Sequence, residues 1–82
     1  KGAVAKILNS ASENFKKIIL LHTKSQISSE KAVEFTEKTR QLHSEKIDQL
    51  ETDQTIKRES KKIIDDGAEE VHEYIRPRRR GR

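Results

Sequence analysis

The chain has 82 residues, of which 30% are hydrophobic and 39% are charged, and its formal net charge is +4. Globular domains typically have about 45–50% apolar and about 25% charged residues, so this composition excludes a large apolar core and allows one domain at most. It suits helices that meet along narrow apolar seams between charged faces, and disorder is the competing interpretation.

The residue types that are missing exclude further classes of protein. There is no cysteine, which excludes a disulfide framework, a thiolate metal site and a thiol nucleophile. This leaves the compartment open and favours an intracellular one over secretion. The longest apolar run is residues 18–21, whereas a membrane-spanning helix needs about 20 apolar residues, so no transmembrane segment is expected. Because the chain does not begin with methionine, we expect a processed or excised product.

The first predicted element is a helix over about residues 3–22. Apolar residues recur on one broad face at helical spacing: Val4, Ile7, Leu8, Ala11, Phe15, Ile18, Ile19 and His22. Leu20 and Leu21 lie off this face, and a helix that is apolar on several sides is usually buried against more than one neighbour. We therefore expect at least three helices in cross-section here.

A break is predicted at residues 23–29, which are rich in serine and threonine. Their hydroxyl groups compete for backbone hydrogen bonds and favour caps and turns. Ser28 or Ser29 can cap the next helix, with Glu30 in the first turn, where a negative charge suits the helix dipole. The alternative is a helix that runs straight through, because no glycine enforces a stop.

The second predicted helix covers about residues 29–75. Proline is absent from residues 1–76 and glycine from residues 3–66, which favours an uninterrupted helix. Two overlapping apolar ladders fit its second half, so the register stays open. One ladder is His43, Ile47, Leu50, Gln54, Lys57, Lys61, Ile64, Ala68, Val71 and Ile75, and the shifted ladder is Ile56, Ser60, Ile63, Gly67, Val71 and Tyr74.

A second, weaker candidate break lies at residues 51–55, where the apolar phase slips and Asp53 can serve as an N-cap. A turn there would give three helices of similar length, the layout of a compact bundle. Gly67 is a candidate end or bend of the last helix, and Pro77 stops that helix by Arg76 at the latest.

Charge is distributed in blocks along the chain. Residues 1–24 carry +4, residues 25–62 balance, residues 63–75 carry −5 and residues 76–82 carry +5. A parallel homodimer would set each block against its own copy, whereas placing residues 1–24 beside residues 63–75 removes both repulsions. The pattern therefore indicates an antiparallel or bundled arrangement.

The last seven residues form a basic tail that is too polar to pack. Five guanidinium groups are expected to bind polyanions such as nucleic acid, anionic lipid or an acidic protein surface. An ordinary disordered linker, a nuclear localisation signal and a processing site have the same composition. The predicted polyanion-binding residues are Arg76, Arg78, Arg79, Arg80 and Arg82.

Motifs of catalysis and metal binding are weak in this sequence. Glu69 and His72 form a Glu-x-x-His step, but di-iron bundles need a second such step and further inward glutamates. The three glycines are scattered, which excludes a phosphate-binding loop. We expect no catalytic residues, no metal and no cofactor.

The sequence thus predicts an all-α, elongated antiparallel helical hairpin that self-associates, with a compact three-helix bundle as the alternative. Residues 1–75 form the helical region and residues 76–82 the basic tail. The expected function is a non-enzymatic coiled-coil assembly module that holds a copy of itself or a partner helix. Its predicted contact residues are Val4, Leu8, Phe15, Ile18, Ile19, Ile47, Leu50, Ile64, Val71 and Ile75.

Two other functions are compatible with the sequence. The first is a nucleic-acid-binding helical bundle that uses the arginine tail and the lysines of residues 1–24. The second is a membrane-surface helix over residues 15–24, whose apolar residues cluster but whose basic rim is thin.

Overall fold

The computed structural model describes residues 2–75, and residues 1 and 76–82 lie outside this description. Three helices are present: α1 (Ala3–Thr23), α2 (Ser29–Asp48) and α3 (Gln54–Ile75). Each helix contacts the other two, and the Cα radius of gyration is 14.0 Å with extents of 44 × 27 × 15 Å. The all-α prediction is confirmed, in the form of the compact three-helix bundle.

The single helix expected over residues 29–75 is wrong, because the chain turns at residues 49–53. The turn brings α3 back against the other helices, where Ile64 and Val71 become buried. A straight continuation would have left that apolar face in water, and helices in proteins owe most of their stability to such packing. The weaker candidate break at residues 51–55 was therefore close to the real one.

Two lysine side chains of α3 bind the end of α2 and stabilise this turn. The Lys57 Nζ donates to the backbone oxygen of Asp48 at 2.8 Å, and the Lys61 Nζ lies 2.9 Å from the Asp48 carboxylate. Asp48 is the last residue of α2, so Lys57 satisfies a carbonyl that the helix end leaves without a partner and places positive charge where the helix dipole is negative.

The predicted break at residues 23–29 is confirmed. The Ser25 N–H donates to the His22 oxygen at 3.0 Å and the Gln26 N–H to the Leu21 oxygen at 2.9 Å, the bonding pattern of a Schellman motif. Ser25 has a φ of 62°, in the left-handed region that favours glycine. Ser28 caps α2, since its Oγ accepts from the Lys31 N–H at 3.1 Å.

Short connections make neighbouring helices antiparallel. Ser10 of α1 contacts His43, late in α2, and Glu37, early in α2, contacts His72 near the end of α3. Because α2 runs opposite to both other helices, α1 and α3 run in the same direction. The negatively charged residues 63–75 consequently lie beside the second half of α1 within one chain.

The core is small and mixes large with small side chains. Polar groups inside it are satisfied: the Thr36 hydroxyl donates to the Ala32 oxygen at 2.8 Å, and within residues 2–75 every buried side-chain nitrogen or oxygen has a partner. The buried apolar residues are Ala11, Phe15, Ile18, Ala32, Ile47, Ile64, Ala68, Val71 and Ile75.

His43 is the largest polar residue of the core, and its side chain is only 2% exposed. Its Nδ1 lies 2.7 Å from the Thr39 oxygen, which can only accept, so Nδ1 carries the proton. The Nε2 lies 3.2 Å from the Ser10 Oγ. The His43 side chain therefore links α2 to α1.

Gly67 is an interior residue of α3, so the candidate helix end at this glycine is wrong. The ring of Phe15 lies against its backbone: a Cβ at residue 67 would be 2.9 Å from both Cδ2 and Cε2 of that ring. The absence of a side chain at Gly67 therefore allows α1 and α3 to approach closely.

Candidate functional site

The predicted contact residues lie mostly inside the bundle. Six are buried in its core: Phe15, Ile18, Ile47, Ile64, Val71 and Ile75. The other four are partly buried and pack against the core: Val4, Leu8, Ile19 and Leu50. A partner could reach the first six only by opening the bundle, so a surface for a partner has to be sought among residues that remain exposed.

The same packing bears on the membrane-surface alternative. Phe15 and Ile18, two apolar residues in the first half of the proposed amphipathic segment, are buried. Leu20 is the large apolar residue of that segment that stays exposed.

A row of exposed apolar side chains runs along α3. Six large apolar residues of the described chain are exposed: Leu20, Val33, Leu42, Ile56, Ile63 and Tyr74. Ile56, Ile63 and Tyr74 belong to α3 and all three to the shifted ladder of the sequence. The apolar members of the first ladder that lie in α3 are all buried. The shifted ladder follows the edge of this buried face, because its members Ser60 and Val71 are buried whereas its large apolar members named above are exposed.

Ile63 of this row borders an open groove between α1 and α3, with a volume of about 290 Å³. We call it the α1–α3 groove. Its edges are formed by Leu8, Ser12, Lys16 and Ile19 of α1 and by Ile63, Asp66, Gly67 and Glu70 of α3. Ile63, which is 55% exposed, lies on the α3 edge.

Ion pairs close the opposite side of α3, where it meets α2. We call this side the α2–α3 ion-pair seam. Its ion pairs are Asp48–Lys61 at 2.9 Å and Arg40–Asp65 at 3.3 Å, and Glu37 is bound to Arg40 at 2.8 Å. A hydrogen bond of 2.9 Å between His72 Nε2 and Glu37 also crosses this seam. Charged side chains cover the α2–α3 boundary, whereas apolar side chains line the α1–α3 groove.

Glu37 is the best-paired carboxylate of this seam. Hydrogen bonds from the Arg40 guanidinium and then from His72 stabilise its charged form and hold its pKa below the ordinary value of 4.5. The same contact with Glu37 raises the pKa of Arg40. Both groups are thus fixed in their charged forms at neutral pH, which makes them suited to holding helices together and unsuited to proton transfer.

Other sites suggested by the sequence are not assembled in the described part of the chain. His72 bonds to Glu37, and residues 2–75 contain no group of three or more His, Cys, Asp or Glu side chains that could hold a metal. None of the helices in these residues is long and apolar enough to cross a membrane. The five predicted polyanion-binding residues all lie outside the described residues.

The groove residues were only partly visible in the sequence. Ile56, Ile63 and Tyr74 appeared there as a rival register and not as a surface. Lys16, Asp66 and Glu70 were read only as members of charged blocks. The signal that could have found the groove was the coexistence of two apolar ladders on one helix, since a helix with two adjoining apolar faces needs two neighbours.

The chain matches no family model, no curated protein and no solved structure. What it does must therefore be argued from its own side chains.

Proposed function

We propose that this three-helix bundle is a non-enzymatic assembly module that binds a helix, either from a partner or from a copy of itself, in the α1–α3 groove. The observation that carries the proposal is the exposed Ile63, which shares the groove with the partly buried Leu8 and Ile19 and continues along α3 in the exposed Ile56 and Tyr74. Amphipathic helices dock in apolar grooves of this kind through side chains spaced along one face.

The amount of exposed apolar surface supports this function. Only 30% of the residues are hydrophobic, yet Ile63 and Tyr74 are 55% and 71% exposed. Complete burial of one isoleucine is worth about 1.5–3 kcal/mol. A docked helix that covers the row would recover a large part of this free energy, which the isolated bundle leaves unused.

The arrangement of charge favours the α1–α3 groove over the α2–α3 side of the bundle as the place where a helix docks. Pairs of opposite charge already occupy the α2–α3 ion-pair seam, so a helix docking there would have to displace them. The α1–α3 groove presents no such barrier, because its edge residues Lys16, Asp66 and Glu70 are in no ion pair among the described residues.

Site-specific photo-crosslinking in cells that express the chain tests this function. A photoreactive phenylalanine analogue replaces Ile63 in one variant and Leu42 in a matched control. Leu42 is 50% exposed and does not border the groove. We expect adducts from position 63 that are absent from position 42, joined to a helical segment of this chain or of another protein.

Peptide mapping of the adducts identifies that segment. Adducts of equal yield from both positions, or none from position 63, would overturn the proposed function. Circular dichroism of the purified variants checks that both retain the helical bundle, so that a missing adduct reports the surface and not the fold.

Polyanion binding remains a second candidate function, on a separate part of the chain. The observation that favours it is the density of charge in residues 76–82, five arginines in seven residues. Such a segment binds phosphate groups without requiring an apolar surface. The two functions are compatible, because the groove and the tail use different residues.

A further inference from the structure

We infer that the α1–α3 groove binds a second copy of this chain, in a dimer whose two-fold axis runs parallel to the helices, so that α1 of each copy lies on α3 of the other. The inference rests on the proposed function and specifies its partner.

The two edges of the groove carry opposite charge at one level of the bundle. Lys16 lies on the α1 edge, and Asp66 and Glu70 lie on the α3 edge. Lys16 follows Phe15, and Asp66 precedes Gly67, the two residues whose contact joins the helices. The groove therefore has a positive edge and a negative edge side by side.

A two-fold axis can relate two such faces in two ways. An axis across the helices places α1 on α1 and α3 on α3, which sets each charged edge against its like. An axis along the helices places α1 on α3, and because α1 and α3 run in the same direction, the heights of the residues are preserved. Only the second arrangement sets Lys16 of each copy opposite the acidic edge of the other, and like charges in contact are strongly disfavoured.

The wider distribution of charge favours the same axis. Residues 63–75 carry −5, and residues 11–24, at about the same level of the bundle, carry +2, so stacking α1 on α3 opposes unlike charges twice in one dimer. Interfaces of this kind are isologous, since the same patch serves both copies. Complementary patches also steer the encounter of the two molecules.

Shape and size agree with this pairing. Ser12 lies one helical turn before Phe15 on α1, and Ile63 lies one turn before Gly67 on α3, so the two residues are at about the same level. In the dimer, Ile63 of one copy would face Ser12 of the other, whose small side chain leaves room for it. Helices α1 and α3 are about 32 and 33 Å long, and two helices side by side are roughly 20 Å wide. Such a face has a projected area of about 650 Å², which approaches the roughly 800 Å² per partner of a standard stable interface.

Sedimentation equilibrium with charge-reversal variants tests the dimer and its axis. We expect the purified wild-type chain to dimerise reversibly and Lys16→Glu to weaken the dimer roughly tenfold, as two like-charge contacts replace two favourable ones. The matched control is Lys17→Glu, which makes the same change of net charge on an exposed residue away from the groove. It should stay close to the wild-type dissociation constant.

Combined reversals identify the axis. The chain with Lys16→Glu, Asp66→Lys and Glu70→Lys is self-complementary only when α1 lies on α3, and it should recover wild-type dimerisation. A mixture of the Lys16→Glu chain with the Asp66→Lys, Glu70→Lys chain should form a heterodimer more stable than either homodimer. Circular dichroism at low concentration confirms that each variant is folded.

Three results would overturn the inference: a wild-type chain that stays monomeric at millimolar concentration, equal effects of Lys16→Glu and Lys17→Glu, or no recovery in the triple variant. A monomeric chain whose position 63 still crosslinks to another protein would refute this dimer and leave the proposed function standing. A monomeric chain without adducts at position 63 would refute both.

Discussion

Gly67 and Phe15 show how one missing side chain sets the distance between two helices. A Cβ at residue 67 would lie 2.9 Å from two carbons of the Phe15 ring, and that ring is buried, so it has little room to move. Glycine in a helix interior normally costs about 1 kcal/mol relative to alanine. Close packing of α1 on α3 offsets this lower helix propensity.

We therefore expect Gly67→Ala to lower the stability of the wild-type bundle, since overpacking costs about 1–3 kcal/mol and the gain in helix propensity is only about 1 kcal/mol. In a Phe15→Leu background the ring is absent, and the same substitution should be neutral or stabilising. Urea unfolding of the four chains measures the coupling as a double-mutant cycle. An equal effect of Gly67→Ala in both backgrounds would contradict the close-contact explanation.

For single residues, the sequence predicts which side chains form the core but does not predict individual contacts between helices. Helical periodicity alone selected Phe15 and Ile18 as contact residues, and both are buried. The role of Gly67 could not be predicted, because the ring that excludes a side chain there comes from a distant part of the chain. The same holds for the Ser10–His43 bond, which joins two helices that no local pattern places together.

The α2–α3 ion-pair seam acts between two elements, and its strength depends on pH. Since the pKa of Glu37 is lowered in the folded chain, the folded state prefers the charged carboxylate more than the unfolded state does. Its contribution to stability is present above the ordinary pKa of 4.5 and is lost as the pH falls through the lowered folded value. Glu37 is half-exposed, so this contribution is below about 1 kcal/mol.

We expect Glu37→Gln to lower the midpoint of thermal unfolding at pH 7 and to have less effect once the pH has fallen through the lowered pKa of the wild-type carboxylate. The matched control is Glu34→Gln, which removes a carboxylate that pairs only within α2, with Lys31 and Lys38. A difference between Glu37→Gln and the wild type that stays constant from pH 2 to pH 7 would show that the ion pairs of Glu37 do not stabilise the bundle.

The number of helices was the part of the fold that local patterns could not decide. Residues 49–53 contain neither glycine nor proline, so local propensity allows a continuous helix through the turn. The chain turns because α3 can then bury one apolar face, a gain that depends on the other two helices. The break at residues 23–29 was easier to predict, because Ser28 supplies an N-cap that can be recognised from the local sequence.

On the scale of the whole molecule, the charge of the chain resides largely in its basic tail. Deleting residues 76–82 removes five arginines and changes the net charge from +4 to −1. We expect this deletion to weaken binding to a single-stranded oligonucleotide. The slope of log K against log salt should also flatten, by about 0.7 for each phosphate group that the tail no longer neutralises.

Fluorescence anisotropy between low and moderate salt concentration measures that slope. The matched control replaces the five arginines with glutamine, which keeps the length of the tail and removes the same charge. An unchanged slope after deletion would assign any binding to the lysines of α1. The dissociation constant of the proposed dimer should not change, because the charged residues that carry that inference, Lys16, Asp66 and Glu70, all lie outside the tail.

The composition of the chain predicted the size of its apolar core better than it predicted the shape of the molecule. A chain with 30% hydrophobic residues was expected to form narrow apolar seams, and the core consists of nine buried apolar residues in the described chain. The elongated shape was wrong, because residues 29–75 were expected to form one helix whose first apolar ladder contacts other molecules. The apolar members of that ladder in α3 instead close the bundle on itself, whereas Ile56, Ile63 and Tyr74 of the shifted ladder stay exposed.

The parallel course of α1 and α3 also determines how the bundle would act between attached domains. Residues 3 and 75 lie at opposite ends of the bundle, separated by about the 33 Å length of a 22-residue helix. Domains fused at both positions would be held apart by a rigid spacer, with no shared surface near the attachment points. A circular permutant that joins these two positions would need at least about ten extended linker residues.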